Sequence, residues 1–402
     1  MPSMHATPFL IIAALAAAAP AIAQPGETAA SVQVSSANVR RALGQAVEAG
    51  DREAATANIW LLARMGGSLS TASRARIASL VGGAGATALP AELTELLDAN
   101  AVPREASVVL GAVPTQHRLI EGVAFDPVRR RLFVGSVVDR RLLVQDPQGW
   151  SPVPIANLGG VFGLAVDAER RLLWLATGPA EPVPDAETAF AGLVAIHLDR
   201  LTEARRIAMP GVQPGDVTLG SDGSLYVSDG MSGVIHVCRP GCTAAQMLVA
   251  PGRLRSPQGM ALWPDGRQLI VADYAQGLFR IDLASGAAEP IRPADPAMLE
   301  GIDGFVLHRG QLIAIQNGSL PRRIIAISLD RDARAIASIE VLERAHSEWG
   351  EPTLGTMDGD RLIYVADAQW ERFGAGGALQ GEGGLRPTAI RALPIPGPEA
   401  SR

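Results

Sequence analysis

The sequence predicts a mainly β protein, a six-bladed β-propeller preceded by a small α-helical N-terminal module. The first supporting observation is residues 256–282, where short aliphatic runs are separated by an Asp-Gly turn and an Asp-Tyr pair, as expected for strand, hairpin and strand. The second is that this pattern recurs at intervals of about 41 to 53 residues, a period typical of propeller blades with about four strands each. The six copies begin at Glu121, Phe162, Gly215, Gln258, Asp303 and Pro352.

The first 23 residues have the features of a signal peptide. Residues 9–20 are continuously apolar but too short to span a bilayer, and Ala21-Ile22-Ala23 forms a small-residue cleavage site before Gln24. We therefore expect an exported chain, periplasmic or secreted, that begins near Gln24 and has no transmembrane segment. A buried helix is the alternative interpretation.

Residues 24–102 are predicted to form the helical module. Three helical runs each start at a residue type that caps helix N-termini and stop at glycine. The caps are Ser35 or Ser36, Asp51, and Ser70 or Thr71, and the glycines are Gly50, Gly66 and Gly82. The segment loosely resembles a tetratricopeptide-type helical pair, so we expect a cap or a docking site for a protein partner. Packing against the propeller alone is equally compatible with the pattern.

Residues 103–397 are predicted to form the propeller. The strands expected at 107–113 and 387–395 lie at opposite ends of this region, and propellers commonly close by pairing the two termini in one blade, which removes an exposed edge. Two insertions, at 179–192 and 372–384, lengthen blades two and six. The second is glycine-rich and is expected to be a hairpin tip over one face.

Composition limits the function. With 402 residues and 48% hydrophobic content the chain can bury a large core, while a net charge of −6 offers no broad basic field for nucleic acid. The two cysteines, Cys238 and Cys242, flank a Pro-Gly turn and are expected to form a disulfide, with free thiols as the alternative.

The residues that open the inner strands should form a ring around the propeller channel. Three ring positions, Phe162, Gly215 and Pro352, offer no ligand atoms, whereas Glu121, Gln258 and Asp303 carry side-chain oxygens. Two carboxylates and an amide converging on one axis suit a hard divalent cation completed by water. The aspartates at the ends of three second strands could form an outer circle of carboxylates or act as turn residues. They are Asp229, Asp273 and Asp367.

From about residue 103 to 396 the sequence resembles the gluconolactonase and senescence-marker-protein (regucalcin) family, six-bladed propellers that bind one divalent metal and hydrolyse sugar lactones. EGVAFDP resembles the family's Glu-Gly motif and implies Glu121 as a metal ligand; IDGFVL resembles its Asp-Gly motif and implies Asp303 as ligand and proton acceptor. PQGMALWPDG is similar to a third motif, with Gln258 where the family has asparagine. The family's substrate-binding Asn-Asp pair falls over Gly215 and Asp216, of which Asp216 matches.

The resemblance therefore implies a metal-dependent hydrolase of lactones or related esters with Ca²⁺ as the first choice of metal and Zn²⁺ or Mg²⁺ as alternatives. Asp216, Asp273, His117 and Glu351 are the candidate substrate-binding residues. For His117 a hydrogen-bonded loop position is the alternative, and for Glu351, with its neighbours Glu348 and Trp349, a solvated rim. The alternative function is a non-catalytic propeller that binds a ligand or a protein.

Overall fold

The structure is a computed structural model that describes residues 35–83 and 85–397, and it confirms a six-bladed β-propeller preceded by α-helices. The described helices and blades belong to one compact unit. The predicted signal peptide and its cleavage site lie outside the described residues. No helix in the described part of the chain is long and apolar enough to cross a membrane.

The helical module contains four described helices, and the N-termini of the first three are capped as predicted. The Ser35 and Ser70 hydroxyls accept hydrogen bonds from the backbone N–H groups three residues on, and the Asp51 carboxylate does the same. The helices are α1 (Ser36–Ala49), α2 (Arg52–Arg64), α3 (Thr71–Val81) and α4 (Ala91–Ala101). Helix α4 was not predicted because its N-cap is Pro90, which supplies no side-chain cap, and no glycine ends it.

The helices pack on each other and on the propeller. Buried leucine and isoleucine side chains, including Ile59, Leu93 and Leu97, form the core of the module. At the propeller, the Ala37 N–H donates to Glu300 Oε1 at 2.9 Å and the Ser68 N–H donates to the Leu320 carbonyl at 2.9 Å. The module thus lies against the loops of blade five. Whether it also docks a protein partner stays a prediction.

The propeller is built from six sheets, each with four antiparallel strands. Blade one contains β2 (Ile120–Asp126), β3 (Arg131–Ser136), β4 (Arg141–Asp146) and β5 (Gly149–Pro152). Blade two contains β6 (Gly160–Asp167), β7 (Leu172–Gly178), β8 (Gly192–His197) and β9 (Thr202–Ala208). Blade three contains β10 (Val217–Leu219), β11 (Leu225–Asp229), β12 (Val234–Cys238) and β13 (Gln246–Val249).

The second half of the propeller repeats this plan. Blade four contains β14 (Pro257–Leu262), β15 (Gln268–Asp273), β16 (Gly277–Asp282) and β17 (Ala288–Pro290). Blade five contains β19 (Ile302–His308), β20 (Gln311–Gln316), β21 (Arg323–Leu329) and β22 (Ala335–Arg344), with the short parallel strand β18 (Arg292–Pro293) at its outer edge. Blade six contains β23 (Gly355–Asp358), β24 (Arg361–Val365), β25 (Thr388–Pro394) and β1 (Val108–Val113).

The ends of the propeller close in blade six, as predicted. Strand β1 pairs antiparallel with β25, with Val108 opposite Ala392 and Val113 opposite Thr388. The N-terminal strand therefore supplies the outer edge of the blade formed by the C-terminal end of the chain.

The two insertions pack on each other above blades one and two. The Gly376 N–H donates to the Glu181 carbonyl at 2.9 Å, and Phe373 shares an apolar cluster with Val138 and Val183. Short 3-10 turns occur within them, at Ala186–Thr188 and Ala375–Gly377, and a third, Trp370–Arg372, leads into the second insertion. The insertions therefore fix the position of Trp370, a residue of the candidate site.

The cysteines form the predicted disulfide. Cys238 ends β12 and Cys242 lies in the turn before β13, with a Cα–Cα distance of 5.6 Å. The bridge staples the outer hairpin of blade three.

Candidate functional site

A cavity of about 290 Å³ lies where the inner strands begin, and five of the predicted site residues line it. They are Glu121, Asp216, Gln258, Asp303 and Glu351. The cavity wall also includes Phe162, predicted as a ring position without ligand atoms, and three side chains that the sequence did not single out, namely Tyr274, Asn317 and Trp370.

Glycines after the ring residues let neighbouring inner strands approach closely. A Cβ atom on Gly122 would lie 2.0 Å from the Phe162 carbonyl oxygen, and one on Gly259 would lie 2.8 Å from the Phe305 nitrogen and 3.1 Å from the Asp303 carbonyl oxygen. Only glycine fits at such distances, because real Cβ atoms do not come this near backbone atoms. The residue before each of these glycines is thereby held at the channel mouth.

The prediction of Pro352 as the sixth ring residue is wrong by one position. The Glu351 N–H donates to Asp367 as the Ser256 N–H donates to Asp273. Thr353, two residues after Glu351, is therefore equivalent to Gln258, two residues after Ser256. The Thr353 hydroxyl donates to the Glu121 carbonyl at 2.9 Å and so joins blade six to blade one. In most copies the ring residue is followed by glycine. In blade six the ring residue, Thr353, is followed by leucine, so this signal was missing.

Glu121 is a buried carboxylate held by one strong donor. Burial, followed by the charge of Asp303, raises its pKa well above the usual range. The indole N–H of Trp370 donates to Glu121 Oε2 at 2.7 Å and acts in the opposite direction by favouring the ionised form.

Asp303 faces the same cavity from blade five. Loss of solvent around it, together with the charge of Glu351, raises its pKa to about 7. The amide N–H of Asn317 donates to Asp303 Oδ2 at 2.7 Å, and the carbonyl of the same amide accepts from the Tyr274 hydroxyl at 3.0 Å. This chain of hydrogen bonds fixes the orientation of the Asp303 carboxylate.

Two further carboxylates add negative charge to the cavity. Burial raises the pKa of Asp216 to about 7, although its Oδ1 accepts the Val217 N–H at 2.8 Å. Burial also raises the pKa of Glu351, while the nearby guanidinium of Arg322 opposes that shift. Protonation of these groups, or a bound cation, would relieve the repulsion among the carboxylates of the cavity.

Gln258 presents its amide to the same space. Its Nε2 donates to the Ser256 hydroxyl at 3.1 Å. Among the described residues no donor reaches Gln258 Oε1, so this oxygen remains an acceptor for a ligand or cation.

The donor set fits a hard divalent cation. Glu121, Asp303 and Gln258 offer only oxygen atoms, and closely placed buried carboxylates are stabilised by a positive charge between them. Within residues 35–83 and 85–397, no group of three or more His, Cys, Asp or Glu side chains is placed to hold a metal ion. The cation would therefore be held by two carboxylates, with amide oxygens and water completing its coordination.

Two other predicted residues, Asp273 and His117, do not line the cavity. Asp273 is fully buried, and its carboxylate accepts the N–H groups of Arg255, Ser256, Ala275 and Gln276, so it organises loops rather than binding substrate. His117 lies in the turn after β1, where its N–H donates to the Pro114 carbonyl, and burial lowers its pKa.

The outer circle of aspartates also has a structural role. Asp229 accepts the N–H groups of Met231 and Ser232 at 3.1 Å, as expected for a turn residue. Asp367 accepts the Glu351 N–H at 3.1 Å and pairs with Arg386. These contacts hold the loops that carry cavity residues, so the turn interpretation is the one the structure supports.

The neighbours of Glu351 point away from the cavity. Glu348 forms an ion pair with Arg391 at 2.6 Å, and the Trp349 indole N–H donates to the Tyr364 hydroxyl at 2.9 Å. Of this group, only Glu351 lines the candidate site.

The sequence did not identify Trp370, which stacks on Phe162 with ring centroids 6.5 Å apart. Trp370 lies three residues after Asp367, and its position depends on the insertion at 372–384 that follows it. Asn317 likewise follows β20 in a Gln-Asn-Gly turn, which reads as an ordinary loop signal.

Replacing Trp370 by Phe is expected to raise the pKa of Glu121 further and to weaken binding of a divalent cation at pH 7 about ten-fold, as measured by titration calorimetry. The variant keeps an aromatic ring but loses the N–H that favours ionised Glu121, a charge-assisted bond worth about 1.5–3 kcal/mol. Trp263→Phe is the matched control, because that indole donates to the Arg331 carbonyl far from the cavity. An equal effect in Trp370→Phe and Trp263→Phe would contradict the role assigned to the Trp370 N–H.

Comparison with known proteins finds no matching family model and no curated protein that matches by sequence. Several solved structures are similar in fold. A gluconolactonase from Xanthomonas campestris has 18% identity, with 73% of this chain and 97% of that chain covered and a TM-score of 0.49. The PQQ-bound aldose sugar dehydrogenase from Streptomyces coelicolor has 16% identity, with 73% and 99% covered and a TM-score of 0.49.

A third similar structure is virginiamycin B lyase from Staphylococcus aureus, with 14% identity, 71% of this chain and 98% of that chain covered and a TM-score of 0.46. Because all three identities lie below 20% and all three TM-scores below 0.5, the functional assignment rests on the residues of the cavity.

Proposed function

We propose that the protein is an exported, metal-dependent hydrolase of sugar lactones or related esters, with one divalent metal in the propeller channel. The observation that carries this proposal is the pair Glu121 and Asp303. These carboxylates come from blades one and five, line one cavity, and lie close enough for the charge of Asp303 to raise the pKa of Glu121. Structural carboxylates are normally paired with cations, so this arrangement favours a functional site.

The proposed metal ligands are Glu121, Asp303 and Gln258. Oxygen-only ligands favour Ca²⁺, with Mg²⁺ as an alternative, over Zn²⁺, which prefers nitrogen and sulfur. A bound divalent cation supplies Lewis-acid polarisation of the lactone carbonyl and stabilisation of the oxyanion.

Asp303 is the proposed proton acceptor. A carboxylate with one oxygen free of protein donors can accept a proton from an attacking water. Asn317 orients the group through Oδ2, and no described residue donates to Oδ1. Asp303 thus has one oxygen held in place and the other open to the cavity.

The volume and lining of the cavity favour a small ring-shaped substrate. A volume of about 290 Å³ is at the lower end of ligand pockets and suits a single sugar ring. The Phe162 and Trp370 rings offer an apolar wall, while Asp216 and Glu351 offer acceptors for hydroxyl groups. The proposed substrate is therefore a hydroxylated lactone rather than an apolar ester.

Export is supported by the disulfide, since a bridge such as Cys238–Cys242 persists in oxidising compartments and is rare in reducing ones.

Removal of divalent cations is expected to abolish lactone opening, and Ca²⁺ is expected to restore it. The test measures ring opening of D-glucono-1,5-lactone, D-galactono-1,4-lactone and other sugar lactones after EDTA treatment, before and after adding Ca²⁺, Mg²⁺ or Zn²⁺. Uncatalysed opening, measured without protein, is subtracted. If the protein binds Ca²⁺ but opens no lactone with any metal, the hydrolase proposal fails and a non-catalytic ligand-binding propeller is favoured.

A further inference from the structure

A second cavity, of about 650 Å³, adjoins the candidate site. Asn317, which orients Asp303, lines both cavities. The walls of the second cavity come from the loop after β20, the segment before β23 and helix α1 of the helical module. The two cavities therefore meet at Asn317.

The second cavity is lined by two arginines, Arg40 of α1 and Arg322 of blade five. Among the described residues neither guanidinium lies within ion-pair distance of a carboxylate. Arg40 donates to the carbonyls of Ser68 and Leu320 at 3.3 and 3.2 Å, and Arg322 donates to the Gly350 carbonyl. Backbone carbonyls fix both side chains without neutralising their charge.

The carboxylate whose charge most affects Arg40 is Glu300, but it does not line the cavity. Its oxygens accept the backbone N–H groups of Ala37 and Leu299 instead. The second cavity therefore keeps an excess of positive charge beside a first cavity that holds four carboxylates. Arg322 connects the two, since its charge opposes the raised pKa of Glu351.

An aromatic wall completes the second cavity. His346 and Trp349 stack with ring centroids 5.7 Å apart and both line it. Such a surface can pack against the carbon chain of a ligand whose anionic end reaches the arginines.

We propose that this second cavity is an anion-binding subsite and that the natural substrate is an acidic lactone or ester, with its reactive carbonyl at Glu121 and Asp303 and a carboxylate or phosphate at Arg322 and Arg40. The assignment of the carbonyl end rests on the proposed function. The direction follows from charge, because Arg40 and Arg322 attract an anionic group and no carboxylate lines the second cavity. Helix α1 thereby supplies part of the binding site.

Isothermal titration calorimetry with D-glucuronate, D-glucose 6-phosphate and D-glucose tests the subsite without any need for catalysis. Both anionic sugars, or one of them, are expected to bind more tightly than glucose, and the stronger of the two identifies the anion as carboxylate or phosphate. Arg322→Gln is expected to weaken anion binding at least about ten-fold, the effect of losing one charge-assisted hydrogen bond. Arg40→Gln is expected to weaken it in the same direction.

The matched control is Arg253→Gln, which removes an exposed arginine from the loop that leads into blade four and lines neither cavity. Anion binding that is equal in the Arg322→Gln and Arg253→Gln proteins, or no tighter than glucose binding, would overturn the subsite. Anion binding that depends on Arg322 in a protein that opens no lactone would overturn the proposed hydrolase and leave the subsite in place.

If the protein opens lactones, comparing an acidic lactone with a neutral one tests whether Arg322 recognises the anionic group. Arg322→Gln is expected to raise KM for D-glucaro-1,4-lactone, which carries a free carboxylate, at least about ten-fold more than for neutral D-galactono-1,4-lactone. An equal change in KM for both lactones would contradict recognition of the anion.

Discussion

Asp303→Asn is expected to abolish lactone opening, with a loss of at least about 100-fold in kcat. Asparagine keeps the size of the side chain but accepts no proton, and it provides a weaker ligand for a divalent cation. The measurement is the initial rate of ring opening at saturating lactone and Ca²⁺. The control is Asp265→Asn, an exposed turn position that keeps its hydrogen bond to the Arg267 N–H. Activity in Asp303→Asn within ten-fold of the control would contradict the assigned role.

The same variant is expected to be more stable than the wild-type protein at high pH, when both are free of metal. The pKa of Asp303 in the folded protein is about 7, above its value near 3.9 in an unfolded chain, so the folded state holds the proton more tightly. Its contribution to stability is therefore present below about pH 4 and is lost as the pH rises through 7. Asparagine does not ionise, so the variant does not lose this stability as the pH rises.

Thermal unfolding in EDTA at pH 5 and pH 8 measures this effect. The difference in Tm between Asp303→Asn and the wild type should increase by about 2 °C or more from pH 5 to pH 8. A difference in Tm that does not change with pH would show that Asp303 titrates as an ordinary exposed carboxyl.

Glu121→Gln is expected to abolish stabilisation by Ca²⁺ together with activity. Glutamine preserves the shape and can still accept the hydrogen bond from Trp370, but it removes one of the two carboxylates proposed to hold the cation. In the wild type, Ca²⁺ at about 100 times its Kd should add about 2.7 kcal/mol to the free energy of unfolding. The measurement is Tm as a function of Ca²⁺ concentration.

Glu169→Gln is the control for this experiment, because Glu169 is exposed in the turn between β6 and β7. It should retain the full Ca²⁺-dependent rise in Tm. A rise of the same size in Glu121→Gln would place the bound cation elsewhere in the protein.

Much of the fold could be predicted because each blade repeats one local pattern. Aliphatic runs with Asp-Gly turns identified the strands, and a residue followed by glycine marked the start of most inner strands. The prediction was wrong where this mark is missing, so Thr353 rather than Pro352 occupies the sixth ring position. Helix α4 was missed for a similar reason, because Pro90 gives no side-chain cap.

The shared cavity of Glu121, Gln258 and Asp303 could also be predicted, since equivalent residues of different blades lie at the same level of the channel. Asp273 shows the limit of that reasoning. An aspartate repeated at a strand end is more often a turn residue, and the four backbone donors of Asp273 support that role.

Trp370 and Asn317 could not be predicted from repeat position. Trp370 reaches Glu121 because two insertions that lie far apart in sequence pack on each other. Asn317 contacts Asp303 from the loop after β20, a contact that depends on the path of a turn. Irregular segments of this kind are set by tertiary packing rather than by local pattern.

A crystal structure of the protein grown with Ca²⁺ tests the central claim most directly. We expect one ion at the channel mouth, with carboxylate oxygens of Glu121 and Asp303 at about 2.3–2.6 Å and Gln258 Oε1 in its coordination shell. An ion bound at another place, or a channel mouth without an ion at saturating Ca²⁺, would contradict it.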